Sequence, residues 1–156
     1  MTYIQYLCHK NKKMSMKRFF LSLFALSVAV GKTTAQNGQK PFAGYFFNDE
    51  YNIYMKIDLY GEGIEVPEHE MFGLLPGYLG KKNNNFYWVI TSGNIKSRKT
   101  ANIEMINDYG SEDLIVSLTQ KNDSTFVLKQ LKGSDLKVPN KGKWQKLPTE
   151  ITLKKK

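Results

Sequence analysis

Between Tyr51 and Tyr60 the chain alternates, with Tyr51, Ile53, Met55, Ile57 and Leu59 on one parity and Asn52, Lys56 and Asp58 on the other. A period of two places the apolar set on one face of a β-strand. Residues 42–47 just before it are rich in aromatics, and Asn48-Asp49-Glu50 between the two segments is turn chemistry, so the pair predicts a hairpin.

The same pattern recurs along the chain. Residues 64–66 form a short apolar run that ends at Pro67. Residues 72–79 contain Pro76-Gly77 and predict an irregular or edge segment, because proline donates nothing to a β-ladder. After the polar turn at 81–85, residues 86–91 (Phe-Tyr-Trp-Val-Ile-Thr) combine aromatic and β-branched side chains, the composition of a strand. Residues 101–106 are a further candidate, followed by the polar loop 107–113. Residues 114–120 and 125–131 flank Lys121-Asn122-Asp123-Ser124, a connection of hairpin length. Residues 143–147 and 151–154 complete the set. Eight or nine short strands without an amphipathic helix predict an all-β, single-domain antiparallel fold. Short connections favour a β-meander closing into a small barrel of eight to nine strands, with a half-open barrel or sandwich as the alternative.

One apolar run does not fit the strand pattern. Residues 19–30 follow Lys17 and Arg18 and precede Thr33-Thr34-Ala35 and Gln36. A basic start, an apolar stretch and a small-residue exit are the three parts of a secretory signal peptide. The run is shorter than the roughly twenty residues that span a bilayer, which argues for a cleaved leader over an anchor. The expected layout is a signal peptide at 16–35, a flexible lead-in at 36–41 and a β-barrel domain at 42–156. Residues 1–15 add nothing to it. They read as a non-native upstream extension, since Met14 and Met16 both stand just ahead of the basic pair. The Ala35-Gln36 junction resembles signal-peptidase sites of Gram-negative bacteria, so a periplasmic or secreted protein is expected. Cys8 is the one cysteine and lies in that extension, which leaves the exported chain without a disulfide, a thiolate nucleophile or a site for a lipid anchor.

The leader also changes the charge. The whole chain carries +9, but residues 1–35 hold six basic residues and no acidic one, leaving 17 basic against 14 acidic and a net of +3. That removes most of the case for a nucleic-acid partner. The remainder is uneven, with 7 basic and 11 acidic residues in 36–120 against 10 basic and 3 acidic in 121–156. A basic patch for phosphate or anionic glycan is one reading. Lysines on the outward parity of strands, ending in a solvated Lys154-Lys155-Lys156, is the preferred one.

Gly44-Tyr45-Phe46 resembles the first-strand glycine, any residue, tryptophan motif of the calycin superfamily, the lipocalins and fatty-acid-binding proteins, with Phe46 in the tryptophan position. The resemblance implies an eight-to-ten-stranded barrel holding a small apolar ligand.

Candidate chemistry is thin. His69, in Glu65-Val66-Pro67-Glu68-His69-Glu70, is the one histidine after the leader; a catalytic or metal-binding His competes with an exposed acidic loop, which is preferred because no Gly-x-Ser-x-Gly elbow accompanies it. Asp108, Glu112 and Asp113 beside Gly110 and Ser111 invite a calcium reading, but their spacing departs from the EF-hand order, and a tight polar turn accounts for them. Paired carboxylates for glycoside hydrolysis are not distinguishable by sequence. Asp123-Ser124-Thr125 matches a short O-glycosylation acceptor as well as a simple turn. No cofactor is expected and no enzymatic activity is assigned. Aromatics are the richest resource: Tyr54, Tyr60, Tyr87, Trp88 and Trp144 are the candidate ligand-binding residues, with core packing of Trp88 and Phe86 as the competing role. The expected function is an exported, non-enzymatic binding protein carrying a small-molecule ligand, a glycan or lipid. A secreted protein-interaction or inhibitor module of the bacterial envelope is the alternative.

Overall fold

The computed structural model describes residues 40–156. The upstream extension, the signal peptide, Cys8 and the lead-in before Lys40 lie outside the described residues. In chain order the strands are β1 (Ala43–Asn48), β2 (Ile53–Asp58), β3 (Ile64–Glu65), β4 (Leu74–Leu75), β5 (Gly77–Lys81), β6 (Tyr87–Ser97), β7 (Thr100–Asn107), β8 (Asp113–Gln120), β9 (Thr125–Gly133), β10 (Lys137–Asn140), β11 (Lys143–Lys146) and β12 (Glu150–Lys155). Strands β1, β2, β5, β6, β7, β8, β9 and β12 pair antiparallel in that sequence, and β12 returns to β1 to close a barrel. The expected meander is present with two insertions, the ribbon β3–β4 between β2 and β5 and the ribbon β10–β11 between β9 and β12.

Alternation explains the barrel wall. Ile53, Met55 and Ile57 of β2, Leu114, Val116 and Leu118 of β8, and Ile151 and Leu153 of β12 are buried on one parity. Eight strands leave an interior just wide enough for side chains to fill. Trp88, Phe46 and Phe126 are fully buried there, and Phe46 meets Phe126 edge to face at 4.9 Å between ring centroids. Each such side chain contributes about 1.5–3 kcal/mol by leaving water.

Two expectations are corrected. The segment around Pro76-Gly77 is no edge: β5 pairs with β2 on one side and β6 on the other. Pro76 stands before the ladder, where its carbonyl accepts the Asp58 N–H at 2.8 Å and its missing N–H is not needed. Gly77 has φ +146°, and a Cβ there would lie 2.1 Å from the Lys56 carbonyl oxygen, so the close approach of β2 and β5 requires glycine. The strand expected at 143–147 forms as β11 but lies outside the barrel wall, paired with β10. Pro139 and the flanking Lys137 and Asn140 hide β10 from an alternation rule.

Each barrel end has its own closure. At one end Lys155, on the inward parity with Ile151 and Leu153, donates to the carbonyls of Lys40 at 3.0 Å and Pro41 at 3.1 Å and sits 5.5 Å from the Phe46 ring centroid. Burial lowers its pKa from the usual lysine value. In the lysine tail Lys154 and Lys156 are exposed, as expected, while Lys155 is half-buried and the Lys156 N–H donates to Tyr45 O at 3.0 Å. At the other end Leu136, Val138 and Leu147, carried by the β10–β11 ribbon and its flanks, are buried with the barrel core. The Trp88 indole donates to Lys137 O at 2.8 Å. Gln130 receives the Leu136 N–H at 2.9 Å and donates to Pro148 O at 2.9 Å, tying both legs of the ribbon to β9.

Residues 59–76 fold back over the outside of the wall as a flap. Val66 is buried there with Tyr78, Tyr87 and Val89 in a second apolar cluster, against which Tyr54, Ile64 and Leu75 pack. Among the described residues no helix is long and apolar enough to cross a membrane.

Candidate functional site

Where the flap reaches the β7–β8 loop, two clefts open side by side. His69 leads into the 3-10 turn Glu70–Phe72, and its ring stacks on Phe72 at 6.1 Å and meets Tyr87 edge-on at 6.4 Å. The His69 Nε2 lies 2.9 Å from Asp108 Oδ1, and Nδ1 lies 3.1 Å from the Pro67 carbonyl oxygen. Both neighbours are acceptors, so each ring nitrogen is turned toward an oxygen, and a nitrogen that carries a proton donates to it. With Nε2 facing Asp108 and Nδ1 facing a backbone carbonyl, neither nitrogen is turned toward a nucleophile, so this His–Asp pair is not arranged as a catalytic triad. Nor is His69 in an exposed acidic loop as expected: its side chain is 15% exposed and latches the flap to the barrel. Glu68 accepts from Asn85 at 2.8 Å, while Glu70 accepts the Glu68 N–H at 3.0 Å. Such backbone bonds hold the Glu70 carboxyl below its usual pKa.

The β7–β8 loop is built around Asn107, a buried polar side chain. Its Oδ1 accepts the Ser111 N–H at 2.9 Å and the Glu112 N–H at 3.3 Å, and its Nδ2 donates to Ser111 Oγ at 3.1 Å. The loop carboxylates turn to separate partners, Asp108 to His69 and Glu112 to Lys137 at 2.7 Å, so they do not converge as cation ligands. Among the described residues no group of three or more His, Cys, Asp or Glu is placed to hold a metal. What the turn does project is Tyr109, 72% exposed.

The first cleft, 410 Å³, runs between the flap and the outer wall and is lined by His69, Phe72, Leu75, Val89, Thr91, Ile106 and residues 107–110. The second, 440 Å³, lies at the barrel end under the β10–β11 ribbon and is lined by Glu68, Asn84, Asn85, Phe86, Asp108, Tyr109, Pro139, Gly142, Lys143 and Trp144. In it Phe86 supports two exposed rings, Trp144 at 4.8 Å and Tyr109 at 5.8 Å between centroids. Trp144 is 52% exposed, and β11 holds it outside the wall opposite Pro139. Asp108 and Tyr109 line both clefts.

The five candidate aromatics do not form one site. Trp88 is 0% exposed inside the barrel, the core role weighed against ligand contact. Tyr54 and Tyr87 come together on the outer wall above Gly80, whose missing Cβ makes room for both rings. Burial is the first cause of the raised pKa of each hydroxyl. Tyr60 lies at the opposite barrel end, its hydroxyl 3.5 Å from the Phe42 N–H and its ring 5.7 Å from Lys40 Nζ. Of the five, Trp144 alone lines either of these two clefts. Tyr109, Asn84, Asn85, Phe72 and Ile106 are absent from the sequence expectation. Tyr109 carried the one available signal, a large aromatic in a turn otherwise made of Asn, Asp, Gly, Ser and Glu.

Comparison with protein-family models, with curated proteins and with solved structures found no match. The fold and site therefore define the class: a closed, eight-stranded antiparallel β-barrel with an external flap and an aromatic-walled cleft at one end.

Proposed function

We propose that the protein is an exported, non-enzymatic binding protein that takes a neutral glycan in the cleft under the β10–β11 ribbon. One observation carries the reading. Trp144 and Tyr109 stand exposed on either side of Phe86, beside the amides of Asn84 and Asn85 and the carboxylate of Glu68. Aromatic faces match the C–H surfaces of sugar rings, and adjacent amides and carboxylates match their hydroxyls. The architecture is compatible with a calycin-like barrel, but we place the ligand outside the wall, because aromatic and aliphatic side chains occupy the interior. The proposed site keeps Trp144 from the sequence reading and replaces its other members with Tyr109, Asn84, Asn85 and Glu68.

The test is calorimetric titration of the purified protein with a panel of neutral oligosaccharides. Truncating a central aromatic contact costs about 1–2 kcal/mol, so Trp144→Ala and Tyr109→Ala each weaken binding about five- to thirtyfold. Both sites are exposed, so thermal stability stays near that of the parent. Failure of the whole panel, or binding indifferent to both variants, overturns the proposal. The exposed Met71, Phe72 and Leu74 on the flap favour a second reading, a protein-interaction module. It predicts a stable complex with an envelope protein that a Met71→Ser, Leu74→Ser double variant fails to form.

A further inference from the structure

The two clefts meet at Asp108 and Tyr109 but differ in chemistry. Around the flap cleft the polar side chains other than Tyr109, which belongs to both clefts, are already partnered. His69 is held between Pro67 O and Asp108, Asn107 is held within its own turn, and Thr91 Oγ1 donates to Glu104 O at 3.3 Å. Its remaining surface is hydrocarbon from Phe72, Leu75, Val89 and Ile106, of which Phe72 and Ile106 are exposed to solvent. A chain of methylenes displaces water there without breaking a hydrogen bond, whereas a polar ligand finds few partners beyond Tyr109, where the two clefts meet. The ribbon cleft is the reverse. Among the described residues Trp144 Nε1, Asn84 Nδ2 and Asn85 Oδ1 have no partner, and all three groups belong to residues lining that cleft.

We infer that the full ligand is an amphiphile of the alkyl or acyl glycoside class. Its sugar rests against Trp144 and Tyr109, and its hydrocarbon chain crosses the Asp108–Tyr109 ridge to lie between the flap and strands β6 and β7. The flap cleft has the volume of an ordinary ligand pocket, and the ridge shared by both clefts lets one molecule occupy them together. The inference rests on the glycan reading of the ribbon cleft and adds a ligand class to it.

Methyl, butyl and hexyl β-maltoside, each kept below the concentration at which it forms micelles, separate the two claims in calorimetric titrations of the purified protein. Complete burial of one methylene strengthens binding about fourfold. The flap cleft is open on one side, so about twofold per methylene is expected and hexyl maltoside binds about thirtyfold more tightly than methyl maltoside. Ile106→Glu puts a charge on the cleft floor at an exposed position; it abolishes the gain with chain length and leaves methyl maltoside binding unchanged. Trp144→Ala weakens all three ligands equally. If methyl maltoside binds and the longer chains add nothing, or if the gain survives Ile106→Glu, the amphiphile inference is overturned and the glycan reading stands. If neither methyl maltoside nor any member of the oligosaccharide panel binds, both fall.

Discussion

Replacing Gln130 by leucine keeps the side-chain volume and removes every polar contact it makes. Gln130 shares the inward parity of Phe126 and Leu128 on β9 but stands at the barrel rim, where its amide accepts from Leu136 N and donates to the carbonyls of Pro148 at 2.9 Å and Leu147 at 3.5 Å. Those groups lie on the two legs of the β10–β11 ribbon, which carries Trp144. Two good hydrogen bonds at about 1 kcal/mol each, with the long third neglected, set the cost of Gln130→Leu near 2 kcal/mol, because the bond to Pro148 is exposed and the bond from Leu136 only part-buried, so water recovers part of the loss. Urea unfolding with a slope of about 2 kcal/mol per molar then shows the midpoint falling by about 1 M with the slope unchanged. Gln130→Glu retains the acceptor for Leu136 and loses the donor for Pro148, so it falls between parent and Gln130→Leu. Since the ribbon is the element released, Trp144 becomes more accessible to acrylamide, whereas Trp88 stays protected until global unfolding. A Gln130→Leu midpoint within 0.2 M of the parent, about 0.4 kcal/mol at that slope, would refute the claim that this amide clamps the ribbon.

Three further perturbations test other parts of the structure. Gly77→Ala forces a Cβ to within 2.1 Å of Lys56 O, where the neighbours that must move are strand backbone, and costs about 3 kcal/mol or more in thermal unfolding; Gly110→Ala, with φ +67° and nothing within 4 Å, costs about 1–2 kcal/mol. Equal losses at the two positions would remove the steric argument. His69→Gln releases the flap from Asp108 and raises the rate of proteolytic cleavage within residues 67–73 about fivefold, as expected for about 1 kcal/mol of local opening, with the barrel melting point nearly unchanged. An unaltered cleavage rate means that the pair does not latch the flap. For Lys155, burial places the folded pKa below 10.5, so the unfolded chain binds more protons and this group's contribution to stability rises as pH climbs from the folded value toward 10.5. Lys155→Met removes that slope. The difference in stability between parent and variant therefore shifts in favour of the parent across that window, and a difference independent of pH contradicts the burial of the ammonium.

The alternation in residues 51–60 determined which side chains of β2 face inward, and the same rule located most of the barrel strands, because burying one face of a two-period ribbon leaves a mark at every second residue. Short connections then restricted the order to a meander. Alternation reports that a face is buried but not which edge it joins. Closure of β12 on β1, the return of β5 to the wall beyond Pro76, and the displacement of β11 into a separate ribbon were decided by pairings between distant segments. The candidate site was less legible for the same reason. Trp88 and Trp144 both stand in strand-like sequence. Trp88 shares its inward parity with Ile90 in a wall strand, and Trp144 sits on a ribbon that the wall excludes. Tyr109, Phe86 and Trp144 are neighbours because the β5–β6 loop, the β7–β8 loop and the inserted ribbon share one barrel end. The sequence by itself determined most of the barrel strands and the inward face of β2. Tertiary structure alone decided the cleft, because loops far apart in the chain are brought to one rim only by the register of the strands between them.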